Sequence, residues 1–331
     1  MNRNSVDAPL LPELSTVDDG AGARRVAKRG RLINAAFVAA FVLLLVIAAT
    51  TTDSFMTDDN LTNLLRQLVT TGLVALGMLM VILTGGIDLS VGSVVALTGI
   101  MAAGLTADLP VPAAMSIAVV VGVLCGAVNG VLVARFRLAP FVVTLAALTT
   151  IRGLSYVYSE TPITPTAESF LALGTESIGP IPVATIIVVV AFALAWVFLT
   201  MTTTGRAIVA IGGNREAVRL AGINVPRHIL LTYMISGLCA GLAGVILASR
   251  VGIAQPSIGV ALELNAIAAC VIGGARLAGG RGSVLGTLGG VVLLALIDNL
   301  LTLYDVQSYW QQVLKGLIIV AVVLARRRED A

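Results

Sequence analysis

What this sequence mostly lacks is charge. Only 12% of its 331 residues are Asp, Glu, Lys or Arg, about half the ~25% of an ordinary soluble domain. Hydrophobic residues make up 57%, and the mean hydropathy is +0.99. A chain with that much apolar area cannot give its surface to water, which excludes a water-soluble enzyme, a nucleic-acid binder and a disordered chain. Histidine is nearly absent as well. The single one, His228, stands beside Arg227 at a predicted membrane edge, so no Ser/His/Asp or Cys/His set assembles. The cysteines Cys125, Cys239 and Cys270 lie far apart within apolar runs, and fit neither a disulfide framework nor a metal spacing. A phosphate-binding G-x-x-x-x-G-K-[ST] loop is also missing, since Gly274 to Gly279, then Gly280 and Arg281, lacks the Lys and the hydroxyl. No catalytic residue, metal or cofactor is expected in this chain, and any ATP hydrolysis belongs to another polypeptide.

What is present is a series of ten apolar stretches, near 32–50, 66–84, 91–107, 111–134, 140–158, 180–200, 229–249, 260–276, 283–303 and 309–325. Most reach the roughly 20 residues that a bilayer core requires of a helix. Their apolarity is continuous, where barrel strands alternate. The third, eighth and tenth are short, and Arg152 and Gly153 interrupt the fifth. The expected fold is therefore an all-α polytopic membrane protein of about ten transmembrane helices. A disordered cytoplasmic tail is expected over 1–31, the membrane domain over 32–325, and a short cytoplasmic tail over 326–331. With ten alternating spans and the N-terminus inside, 17 of the 21 Lys and Arg residues fall on the cytoplasmic side. Only Arg66, Arg152, Arg250 and Lys315 do not. Both termini are thus expected to be cytoplasmic. The preponderance of Arg over Lys suggests a GC-rich bacterial genome.

The 34 glycines point to helices packed backbone to backbone. Gly122, Gly126 and Gly130 form one stripe, and Gly282, Gly286 and Gly290 another. A sequence echo links 83–93 (LTGGIDLSVGS) with 277–286 (LAGGRGSVLG), each following a span of the same direction. It suggests two parallel pseudo-repeats. The middles of the spans are nearly bare of ionisable groups. Asp298, Arg152 and Lys315 fall toward outer ends and are expected to snorkel. Asn129 and Asn299 suit hydrogen bonds between helices. A pathway without buried charge fits a neutral, polar cargo and an energy source elsewhere. It argues against an ion-coupled secondary transporter and a membrane-embedded enzyme.

The loop after the sixth stretch, 204–226, carries a predicted short helix: Asn214 suits the N-cap, Glu216 the first turn and Gly222 the stop. At about two turns it is too short to stand alone in water. Arg215 and Arg219 share one face, and Ala217 and Ala221 another, small and smooth. Two readings stay open from spacing alone: a plug for a groove on another protein, or a helix lying on the anionic leaflet.

Three segments resemble signatures of the ribose/xylose/galactose type of ABC sugar-import permease. They are Gly85-Gly86-Ile87-Asp88-Leu89-Ser90-Val91-Gly92-Ser93, the loop Ala210 to Asn224, and Val271-Ile272-Gly273-Gly274 through Gly279-Gly280-Arg281 to Gly286. The similarity runs from about residue 60 to 325. The resemblance implies a bacterial inner-membrane permease that pairs with a second permease subunit, identical or related. Separate ATP-binding subunits drive it, and an extracytoplasmic sugar-binding protein supplies it. It implies a coupling helix at Asn214, Arg215, Glu216, Ala217, Arg219, Ala221 and Gly222. A helix break or pathway segment is expected at Gly85, Gly86, Asp88, Ser90, Gly279, Gly280 and Asn299. For Asp88 with Ser90, capping of the third span competes with contact to the cargo. A permease for branched-chain amino acids is the nearer alternative, but a zwitterionic cargo calls for charged partners that the spans do not offer.

Overall fold

The computed structural model describes residues 42, 43, 45–317 and 320. The tails expected over 1–31 and 326–331 lie outside the described residues, as do parts of the first and tenth apolar stretches. After a helical stretch over 45–51, the chain runs through α1 (Asp58–Leu83), α2 (Val91–Leu105), α3 (Val111–Ala134) and α4 (Pro140–Tyr158). A small irregular subregion follows with α5 (Ala172–Thr175) and a two-stranded antiparallel hairpin, β1 (Ser177–Ile178) and β2 (Ile181–Pro182). Then come α6 (Val183–Met201), α7 (Thr203–Gly213), α8 (Arg215–Leu220), α9 (Val225–Val251), α10 (Leu262–Ile272) and α11 (Val284–Leu303). A last helical stretch covers 308–317.

Among the described residues six helices are long and apolar enough to cross a membrane: α1, α3, α4, α6, α9 and α11. This is an all-α membrane bundle. Helix α9 forms its centre, packed on α1, α2 and α3, while α1 also receives α6, α10 and α11. In α1 and α9 72% and 67% of the apolar span is buried, against 22% in α4 and α6. The first two are therefore the core and the others its outer wall. Tyr233, Met78, Leu79, Met80 and Ile82 sit fully enclosed between α1 and α9 and their neighbours.

Helix boundaries depart from the apolar runs where a polar turn precedes them. Helix α1 begins eight residues before the run at 66. Thr57 accepts from the Asn60 N–H, and Asp58 and Asp59 favour the positive end of the helix dipole. Helix α4 passes through Arg152 and Gly153 without interruption. The third and eighth stretches form α2 and α10, of 15 and 11 residues, about 22 and 17 Å long and too short to cross a ~30 Å core alone. Both adjoin irregular backbone, 84–90 before α2 and 252–261 and 273–283 around α10. At membrane depth such backbone survives only where protein encloses it.

The glycine stripe of α3 lies on α9. A Cβ on Gly126 would collide with the Tyr233 carbonyl oxygen, and one on Gly122 would sit 2.7 Å from the Gly237 oxygen. In the second stripe Gly286 and Gly290 face α10, whereas Gly282 precedes α11 and touches Leu79 and Leu83. Cys270 behaves as a small buried hydrophobe, its thiol donating to the Ala75 carbonyl at 3.2 Å.

Gly126→Leu is expected to force α3 off α9 and cost about 3 kcal/mol, the upper end of overpacking penalties. Gly153→Leu, with open space around it, is expected to leave stability unchanged. Melting temperatures of the two variants in one detergent check the contrast.

Candidate functional site: the break between α1 and α2

Helix α1 stops at Leu83 because Gly85 takes a left-handed φ of +77°, and Gly86 N–H turns back onto the Val81 carbonyl at 3.1 Å. The last carbonyls of α1 are met from two distant segments. Leu83 O accepts from Gly280 N–H at 3.0 Å, and Thr84 O accepts from Arg215 Nη2 at 2.7 Å. Gly279 and Gly280, both at positive φ (+93° and +75°), lie directly on Gly85, Gly212 and Gly213, where side chains would have no room. Gly85, Gly86, Gly279, Gly280 and Arg215 thus come together at one junction.

Asp88, 2% exposed, sits deeper. Its Oδ1 accepts from the Ser90 N–H at 3.0 Å and the Ser90 hydroxyl at 2.6 Å, and its Oδ2 accepts from the Ser236 hydroxyl of α9 at 2.8 Å. Ser90 in turn accepts from Asn129 Nδ2 of α3 at 2.9 Å. Thr144 of α4 donates to the Ile87 carbonyl at 3.1 Å. Ser90 occupies the N-cap position of α2 but makes no side-chain cap bond. Asp88 ties the loop into a polar network with α3 and α9. Tyr233 is buried against Gly86, and its hydroxyl has no hydrogen-bond partner.

The predicted coupling helix is α8. Asn214 Oδ1 accepts from the Ala217 N–H at 3.0 Å, and Gly222 follows at φ +80°, as cap and stop. Arg215 and Arg219 have different partners. Arg215 reaches Thr84, while Arg219 Nε donates to Glu216 Oε2 at 3.0 Å on the exposed side. Val218 alone in α8 is buried, which leaves Ala217 and Ala221 open. Arg137, Pro140, Arg215, Glu216, Arg219 and Pro226 border a groove of about 740 Å³ between α8 and the ends of α3, α4 and α9. The hydrogen bond from Arg219 holds the Glu216 carboxyl below its ordinary value of 4.5.

The remaining polar groups lie elsewhere. Asn299 and Asn60 exchange amide hydrogen bonds of 2.7 and 3.2 Å. Asn60 lies in the first turn of α1 and Asn299 late in α11, at the end of α1 far from Gly85, so Asn299 does not join the helix break. Asp298 and Lys315, expected to reach separately for the interface, form a largely buried ion pair at 2.9 Å. Arg152 bends inward onto the carbonyls of Pro256 and Ile258. Glu263, half-buried in the first turn of α10, escaped the sequence reading because the apolar run 260–276 absorbs it. Its place in the cluster A-L-E-L-N was the only available signal.

Comparison with known proteins bears on this arrangement. A family profile described as a branched-chain amino acid transport system / permease component matches residues 60–323. The ribose import permease protein of Haemophilus influenzae is 42% identical over 295 residues, 87% of this chain and 91% of that protein. That of Bacillus subtilis is 42% identical over 302 residues, covering 89% and 92%. The xylose transport system permease protein of Escherichia coli is 36% identical, covering 86% and 89%. The chain belongs to the family of ABC sugar-import permeases. No solved structure matches it. All three segments that carried the resemblance fall within the matched residues, and part of each meets at the α1 junction of this permease: Gly85, Gly212 and Gly279.

Two outcomes are expected. Asp88→Ala orphans buried donors and should cost about 3 kcal/mol, with Ser236→Ala costing less; unfolding of the purified permease in detergent measures both. The Glu216 contribution, from a lowered carboxyl, is complete above pH 4.5 and is lost as the pH falls through the lowered value. Amide protection of Val218 and Ala221, corrected for intrinsic exchange, should therefore drop in acid and show no such step in Glu216→Gln.

Proposed function

We propose that this permease is the transmembrane subunit of an ATP-driven importer that carries a monosaccharide such as ribose, xylose or galactose into a bacterial cell. The observation that carries the reading is the 36–42% identity to ribose and xylose permeases across most of the chain. The permease hydrolyses nothing itself. Two permease subunits, identical or related, enclose the path, and an extracytoplasmic binding protein delivers the sugar. ATP-binding subunits dock in the groove beside α8, with Glu216, Ala217, Arg219 and Ala221 as contacts and Asn214 and Gly222 setting the bounds of the helix. Ten spans, both termini cytoplasmic, and two parallel pseudo-repeats complete the topology. The Lys and Arg asymmetry supports this orientation, and the pairing of Gly85 with Gly279 across the two echoing segments is consistent with the repeats.

In this reading α8 acts on the helix break through Arg215, whose bond to Thr84 O joins the docking segment to the end of α1. Closure of the nucleotide-bound ATPases shifts α8, and the junction of Gly85, Gly86, Gly279 and Gly280 moves with it. Asp88 and Ser90 carry the displacement to α9 and α3. The bundle then favours one of two access states, and its differential contacts in those states set the coupling.

The test is co-purification of the tagged permease from its own membranes, followed by ATP hydrolysis and uptake in vesicles with labelled pentoses, hexoses and leucine. Sugar uptake that needs ATP and the partner subunits is expected. Uptake by vesicles holding the permease alone, or of leucine and no sugar, would overturn the reading. Arg215→Ala is expected to keep ATP hydrolysis while lowering uptake by about tenfold, a coupling loss near 1.4 kcal/mol.

A further inference from the structure

Arg152 and Glu263 stand outside the α1 junction. After α9 ends at Val251, residues 252–261 run back into the bundle without regular structure, with Gly252, Gly259 and Ala261 all at positive φ. The segment is anchored by paired backbone hydrogen bonds between Ile163 and Ala254, 2.8 and 2.9 Å. It then descends until Gly259 meets Gly92, so closely that a Cβ on either would strike the other's carbonyl oxygen. The carboxylate of Glu263, one turn further, lies against the same Gly92.

That contact is deep. Gly92 follows the loop whose Asp88 bonds to Ser236, the twelfth of the 27 residues of α9, and Gly99 packs on Gly244 two turns further along. Gly92 and Glu263 are therefore level with about the middle of the ~40 Å length of α9. From α4, Arg152 approaches the same place. Its Nη1 donates to the carbonyls of Pro256 (2.5 Å) and Ile258 (2.7 Å), the latter next in sequence to the Gly259 that meets Gly92. Both side chains are half-buried, and Ser257, between the two carbonyls, is exposed.

Ionisable side chains at this depth are costly and persist where they serve a function. For packing alone, apolar side chains of similar volume do as well as or better than buried charged ones. What an apolar pair lacks is an acceptor-only carboxylate beside a donor-only guanidinium. Neighbouring hydroxyls on one solute donate to the first and accept from the second in charge-assisted bonds. The pair carries no net charge, so it holds a neutral polyhydroxylated solute without trapping an ion.

We propose that Glu263 and Arg152, with the re-entrant segment 252–261, form a mid-membrane contact for a polyhydroxylated cargo and set its selectivity. The proposal rests on the sugar-import reading above. The whole importer, with its ATPase and binding protein, is reconstituted with Glu263→Gln, Glu263→Asp or Arg152→Lys. Initial uptake rates of labelled ribose, xylose and galactose are then compared as ratios within each variant. A cargo contact is expected to shift at least one ratio about fivefold or more, because each sugar presents its hydroxyls differently. A proportional fall for every sugar, or no change at all, would overturn the site and leave the import reading intact. A wild-type complex that carries none of the sugars would instead remove the import reading, and the site with it.

Discussion

The arrangement depends on the carbonyl end of α1. A helix leaves its last carbonyls without partners, and Leu83 and Thr84 are buried at 0% and 1% exposure, out of reach of water. Local turns serve only part of the need: Val81 O and Ile82 O are met by N–H groups of Thr84, Gly86 and Gly85. Leu83 O and Thr84 O have no such neighbour. They are satisfied by Gly280 N–H and by the Arg215 guanidinium, two groups roughly 130 or more residues away in the chain. Each lost bond would leave a buried acceptor unpaired at about 1–3 kcal/mol, so the loop 273–283 and the α7–α8 corner have one place to be. The left-handed glycines at 279 and 280 follow from the same constraint. A side chain at either would push the donor backbone off the acceptor.

Features decided by neighbours in sequence were legible before any coordinates. The α8 cap at Asn214 and stop at Gly222 were readable because a cap is satisfied within three residues. The glycine stripe of α3 was readable because close packing needs small residues at helical spacing. Features decided by partners far along the chain were not. Nothing near Arg215 in sequence announces Thr84, and helical spacing alone groups it with Arg219 on a common face. Asp88 invited a capping role because its nearest hydroxyl is Ser90. Its second oxygen answers Ser236, 148 residues away, and that bond makes it a tie between helices. Asp298 and Lys315 look like lone charges in the sequence for the same reason, and Glu263 disappears into the average of an apolar run.

Helix α8, of six residues, is far below the length at which a helix holds itself in water. Its position comes from its attachments: Val218 buried beneath it, the chain on either side, and the Arg215 bond to Thr84. A force on α8 therefore has two outcomes. It can break that bond and strand a carbonyl, or carry the end of α1 along. The second leaves every backbone group paired, provided Gly279 and Gly280 move too, and their tight packing on Gly212 and Gly213 makes them do so. The loop 84–90 is then held at its other end by Asp88 to Ser236 and by Ser90 to Asn129. If ATP-binding subunits dock at α8 as proposed, a displacement there would reach α2, whose first turns pack beside the Asp88 and Ser90 bonds to α9 and α3.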